Sequence, residues 1–222
     1  MSELYNQVLK TLLPGMEVPE PLQKLFDWIE SEGLFVDTEG GRIGLLFPEA
    51  EQKAGWTERE RLGGTNIEFV AEGNVNLEYW FGHKKPEVMN RLCVFAKTGA
   101  EGSMAAFWLD DHGEQKIVHM GSGSGSTLVC VLADEPVDFL RLIAIGYDET
   151  CWHEVFDRPP NDEERSDRFF VHPNVAFQEW VKTTFSVAIP RTASEIVKHP
   201  SEMGDEESQD PFWQWVEKQN AS

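Results

Sequence analysis

Apolar positions recur at helical spacing near the start of the chain and at strand spacing through its middle. Leu4, Val8, Leu9, Leu12 and Leu13 share one side of a short amphipathic helix over residues 2–13, which Pro14-Gly15 ends. Leu22, Leu25, Phe26 and Ile29 repeat at i, i+3, i+4 and i+7, predicting a second helix with Gly33 as its C-terminal cap. Apolar runs at 34–36 and 43–47 bracket Thr38-Glu39-Gly40-Gly41, the pattern of a hairpin with a glycine-bearing turn. Residues 50–62 are charged and fit a helix or a loop. Residues 66–70 and 75–80 read as a strand pair around Glu72-Gly73-Asn74.

A meander follows. Strands are predicted over 91–96 and 104–110, joined near Gly99 and Gly102, and Asp111-His112-Gly113 turns the chain into a strand over 116–120. The GSGSGS run at 121–126 leads into a further strand, TLVCVL. A helix then follows, with Asp134 as N-cap, Pro136 just inside it and Gly146 ending it. Three helical segments close the chain, at 175–185, 193–199 and 212–218, the last with Asp210 as N-cap and Pro211 at its first position. Strands grouped together with helices on either side predict an α+β fold, a mainly antiparallel twisted sheet flanked by helices and a helical C-terminal extension. The division expected is a core over 1–157 and an extension over 158–222 packed on it.

The segment PVDFLRLIAIGYDE behind an antiparallel hairpin resembles the C-terminal half of the core in the SUKH superfamily, which includes fungal cell-wall-assembly regulators and many bacterial proteins. FQEWVKTTFSVAIP and DPFWQWV are similar to the tail of longer bacterial members, so the likeness runs from about Leu92 to the C-terminus. Leu46-Phe47-Pro48 and Gly40-Gly41 echo the family's N-terminal pattern in reversed order. The resemblance implies a compact binding domain, often a bacterial immunity protein that neutralises a toxin, with no cofactor and no catalytic residues.

Charge sharpens the choice of partner. With 39 acidic and 19 basic side chains the net charge is -20, which repels nucleic-acid phosphates and anionic lipid and attracts a basic protein such as a nuclease toxin. An acidic balance also simply keeps a protein soluble. No window reaches the roughly 20 apolar residues of a membrane span, and the N-terminus is too polar for a signal peptide. Cys93, Cys130 and Cys151 form an odd set, two of them in apolar strand-like runs, which suits a reducing compartment. Together these features predict a cytoplasmic protein.

Catalytic motifs fit poorly. The GSGSGS run lacks the Gly-Lys-Ser/Thr ending of a phosphate loop and precedes a strand, so it reads as a hairpin connection. The same context denies it the role of a nucleophile elbow. Cys151-x-His153 with Cys93, Cys130, His112 and His119 has no C-x-x-C or H-E-x-x-H spacing, so no metal site is expected. His119 alternates with Ile117 and is read as ending its strand. Trp152, Trp180, Trp213 and Trp215 are read as anchors of the tail on the core.

The expected partner surface is Trp56, the tryptophan best placed for exposure, with the acidic residues Asp110, Asp111, Asp148, Glu149 and Glu154. The acidic links at 157–167 and 202–210, including Asp162-Glu163-Glu164, read as solvated. Two alternatives stand beside binding. One is a hydrolase using carboxylates among Asp110, Asp111, Asp148 and Glu149; the other is an adaptor whose contact is the acidic tail.

Overall fold

The computed structural model describes residues 1–99, 101–162 and 169–221, so Glu163 and Glu164 of the acidic run lie outside the described residues. The chain forms α1 (Glu3–Thr11), α2 (Glu20–Ser31), β1 (Phe35–Thr38), β2 (Gly41–Gly44), α3 (Glu49–Ala54), β3 (Glu60–Arg61) and β4 (Glu68–Gly73). It continues through α4 (Leu77–Phe81), α5 (Pro86–Met89), β5 (Leu92–Lys97), β6 (Met104–Leu109), β7 (Gln115–Met120), β8 (Val129–Ala133) and α6 (Pro136–Ile145). The tail contributes β9 (Phe170–Val171), α7 (Val175–Phe185) and α8 (Pro211–Ala221). The fold is α+β, as the pattern predicts. Its main sheet has seven strands in the order β1-β2-β4-β5-β6-β7-β8, every neighbouring pair antiparallel. The two-residue strands β3 and β9 pair in parallel away from it.

Both faces of this sheet are covered, which is why its central strands are apolar without a break. Cys93, Phe95, Phe107, Ile117, Cys130 and Leu132 point to one face, where they pack with Leu22, Phe26 and Ile29 of α2, with α6 and with Phe177 and Val181 of α7. Leu92, Val94, Ala106, Trp108, Val118, Met120 and Val131 point to the other, under Leu77 and Phe81 of α4 and under Phe212, Trp213, Trp215 and Val216 of α8. In the tail, α7 packs on the first face and α8 provides much of the cover on the second.

The tail also closes an edge. Val129 N–H donates to Ser201 O at 2.8 Å, and Met203 N–H donates to Thr127 O at 2.8 Å. The segment before α8 thus runs beside β8 and caps backbone groups that would otherwise form an open strand edge.

Three local expectations are corrected. Residues 75–80 are not a strand: Leu77 and Phe81, four apart, are both buried on a helix that ends at Gly82 in left-handed conformation, φ 70°. Asp134 does not cap α6. Glu135 holds the N-cap position without a side-chain bond, while the Asp134 carboxylate is taken by Lys116 at 2.8 Å and Lys198 at 2.7 Å. Residues 193–199 make only a 3-10 turn, Ala193–Glu195, closed by a Thr192/Glu195 capping box. Pro200 keeps His199 out of the helix that the sequence predicts to run through it, because the residue before proline is driven out of the helical region. Gly146 does end α6, at φ 96°, and the GSGSGS run is the β7–β8 connection.

Candidate functional site

Antiparallel order sorts the expected contact residues between two ends of the sheet. The β6–β7 turn lies at one end, and the β5–β6 and β7–β8 connections lie at the other. Asp110 and Asp111 occupy the turn. Asp110 Oδ1 accepts the N–H groups of His112 at 2.8 Å and Glu114 at 2.9 Å, as a carboxylate in a tight turn does. Asp111 pairs with Arg91 at 2.7 Å, and that bond draws its pKa below the usual carboxylate range. Both are thus committed to holding the turn.

The other end gathers the rest. Ser126 of the β7–β8 connection donates to Cys151 O at 2.6 Å, tying the segment after α6 to the loops. Asn66 N–H donates to Asp148 O at 2.7 Å, which brings in the chain ahead of β4. Asn66 also lines an open groove of about 560 Å³ with Trp56, Glu49, Lys53, Glu68 and Lys97. Trp56 is 39% exposed, and the Arg61 guanidinium lies 5.0 Å from its ring and 3.7 Å from that of Phe169. So Trp56, Asp148, Glu149 and Glu154 belong to one end, and Asp110 and Asp111 to the opposite one. Glu154 is exposed and lies 4.0 Å from His153, whose other nitrogen is 3.5 Å from Glu202.

Two features of this end are not visible in residue spacing. One is Glu101 of the β5–β6 loop, whose carboxylate lies with that of Glu149 and the thiol of Cys151, the donor atoms all within 4.8 Å of one another. Cys151 donates to Glu149 Oε2 at 3.5 Å, and Trp152 Nε1–H donates to the same oxygen at 3.0 Å. Burial, then the Glu149 and Glu101 charges, push the Cys151 thiol far up. It is a protonated thiol and a poor nucleophile as it stands. Only the short E-T-C step hints at this group in the sequence, because its third member comes from a distant loop.

The other is His119. It stands next to last in β7, close to the turn as expected, and is fully buried, with Nδ1 2.9 Å from Leu128 O and Nε2 2.9 Å from Thr98 Oγ1. Carbonyl and hydroxyl satisfy a neutral ring that donates from Nδ1 and accepts at Nε2. Burial lowers its pKa to about 4. It pins the two connections together from below.

No helix among the described residues is long and apolar enough to cross a membrane. No family model, no curated protein and no solved structure matches this chain.

Proposed function

We propose that this chain is a non-catalytic binding protein of SUKH type, an immunity protein that neutralises a toxin by covering its basic surface. The observation that carries the reading is the half-exposed Trp56 at the rim of an open groove, on the same sheet end as Asp148, Glu149 and Glu154. A rigid aromatic with acidic groups on the same end of the sheet is the composition of an interface anchor with a charged rim. The net charge of -20 steers a basic partner toward it. The family rests on the resemblance of 136–149 and the tail. The three unpaired buried cysteines support a cytoplasmic setting.

A carboxylate hydrolase has less support. Its four candidate acids are split between opposite ends of the sheet, and the Asp110 and Asp111 carboxylates are bound into a turn, whereas paired catalytic carboxylates face one another across a cleft.

Co-expression with toxins encoded beside the gene, followed by calorimetric titration of the purified pair, tests the binding reading. Rescue and binding are expected, with Trp56→Ala weakening affinity by about tenfold or more and Asp110→Asn leaving it unchanged. Failure to rescue from or bind any neighbouring toxin overturns the proposal.

A further inference from the structure

The Glu101, Glu149 and Cys151 donors form a compact three-point set drawn from two loops. We propose that they bind a zinc-class divalent cation, with water completing the shell.

Geometry is the first support. A tetrahedral zinc ion with sulfur at about 2.3 Å and carboxylate oxygen at about 2.0 Å holds those two donors about 3.5 Å apart. Cys151 Sγ and Glu149 Oε2 are 3.5 Å apart in the structure. All three donors lie within 4.8 Å of one another, so small side-chain rotations close the set.

The second support is independent of spacing. Glu101 Oε1 accepts from Ser103 Oγ, while Oε2 is enclosed and has no hydrogen-bond partner among the described residues. A buried carboxylate oxygen without a donor is costly, and a cation satisfies it. Gly99 makes the space: a Cβ there would collide with that same oxygen and lie 3.0 Å from Cys151 Sγ. The oxygen and the thiol therefore border the same space at Gly99. Cys151 itself is only 1% exposed, and Thr150 beside it is fully buried with an unpartnered hydroxyl among the described residues.

Thiolate together with carboxylate suits zinc among the common divalent ions. Magnesium and calcium take oxygen donors alone. Binding exchanges the thiol proton for the metal: the S–H bond breaks, the proton passes to buffer, and a sulfur–metal bond forms with no change of oxidation state. The bound ion would clamp the β5–β6 loop to the segment after α6.

Cobalt(II) titration of the chelator-treated full chain at pH 7.5 reports on this directly, because a thiolate–cobalt bond gives charge-transfer absorption that oxygen-only ligands do not. The band should saturate at one equivalent and be displaced by zinc. Cys151→Ser should abolish it, Glu101→Gln should weaken binding by about tenfold or more, and Cys93→Ser should leave it intact. If Cys151→Ser loses its circular dichroism, the Glu101→Gln titration decides. Absence of the band overturns the proposal, as does a band that survives both substitutions. Loss of cobalt binding on His153→Ala with Glu101→Gln unaffected also overturns it, by assigning the ion to the exposed His153, Glu154 and Glu202 trio.

Discussion

The Asp210 carboxylate accepts the backbone N–H of Val131 at 2.9 Å, joining the residue before the last helix to the edge strand of the sheet. Its other oxygen accepts from Trp213 N–H at 2.8 Å, the N-cap bond that the Asp-Pro step in the sequence predicts. One side chain therefore closes a helix end and a sheet edge together. Asp210→Ala leaves two buried N–H groups without partners and should cost about 2–4 kcal/mol. Asp210→Asn keeps one acceptor oxygen and should cost less, about 1–2 kcal/mol. Urea unfolding followed by tryptophan fluorescence and by circular dichroism measures both. Equal costs for the two variants would contradict the double acceptance.

His119 makes stability depend on pH. Its folded pKa of about 4 lies below the unfolded value of about 6.5, so the unfolded chain binds the extra proton first. The neutral ring's contribution is present above pH 6.5 and is lost as pH falls toward 4. Linkage puts that loss at about 2 kcal/mol between pH 7.5 and pH 5. His119→Gln should be less stable than the parent at pH 7.5, because it forfeits the geometry that joins Thr98 to Leu128 O, yet its stability should fall less over this interval. Unfolding free energies at several pH values supply the comparison; parallel curves would remove His119 as the cause.

Periodicity made the long elements legible, and tertiary demand hid the short ones. Leu22, Leu25, Phe26 and Ile29 mark α2 because a helix with one buried face must repeat this way, and all four are fully buried. Val75 to Trp80 misleads because a helix of five residues offers only one i, i+4 pair, Leu77 and Phe81, against a background rich in β-forming residues. Asp134 has the chemistry of a cap, but nothing nearby in the chain shows that Lys198 will compete for it from the tail. The candidate site suffers from the same cause. Trp56 stands out locally, between Gly55 and a charged run, and it is exposed. Glu101 becomes a neighbour of Cys151 only when the sheet sets two connections at the same end.

Gly44 tests how closely α1 and α2 must approach the first hairpin. A Cβ built there would lie 2.6 Å from Leu4 Cδ2 and 3.3 Å from Ile29 Cγ2, and both of those side chains are fully buried. Backbone conformation is not the obstacle at this position; space is. Gly44→Ala should cost about 1–3 kcal/mol, and Gly44→Val more, as overpacking of a filled core does. Pairing either change with Leu4→Ala should recover part of the loss. Independent, additive effects in that double-mutant cycle would show that the helix does not rest on this glycine.

The three thiols should be silent in the native protein. Burial raises the pKa of Cys93 against the pull of the Thr11 hydroxyl, and it raises that of Cys130 with the Asp210 charge adding to the effect. Cys151 is raised by burial and by two carboxylates. Since the thiolate is the reacting form, a disulfide reagent at pH 8 should modify none of them at the rate seen in denaturant, where all three react. Opening of the fold then limits the rate. Cys93 lies on the central strand β5 and Cys130 on β8, whose edge the tail covers, whereas Cys151 lies in a connection at the sheet end and is exposed by a smaller opening. It should react first, and Cys151→Ser should remove that earliest phase. A fast phase untouched by this substitution would place the weak point of the fold in the sheet rather than in the loops above it.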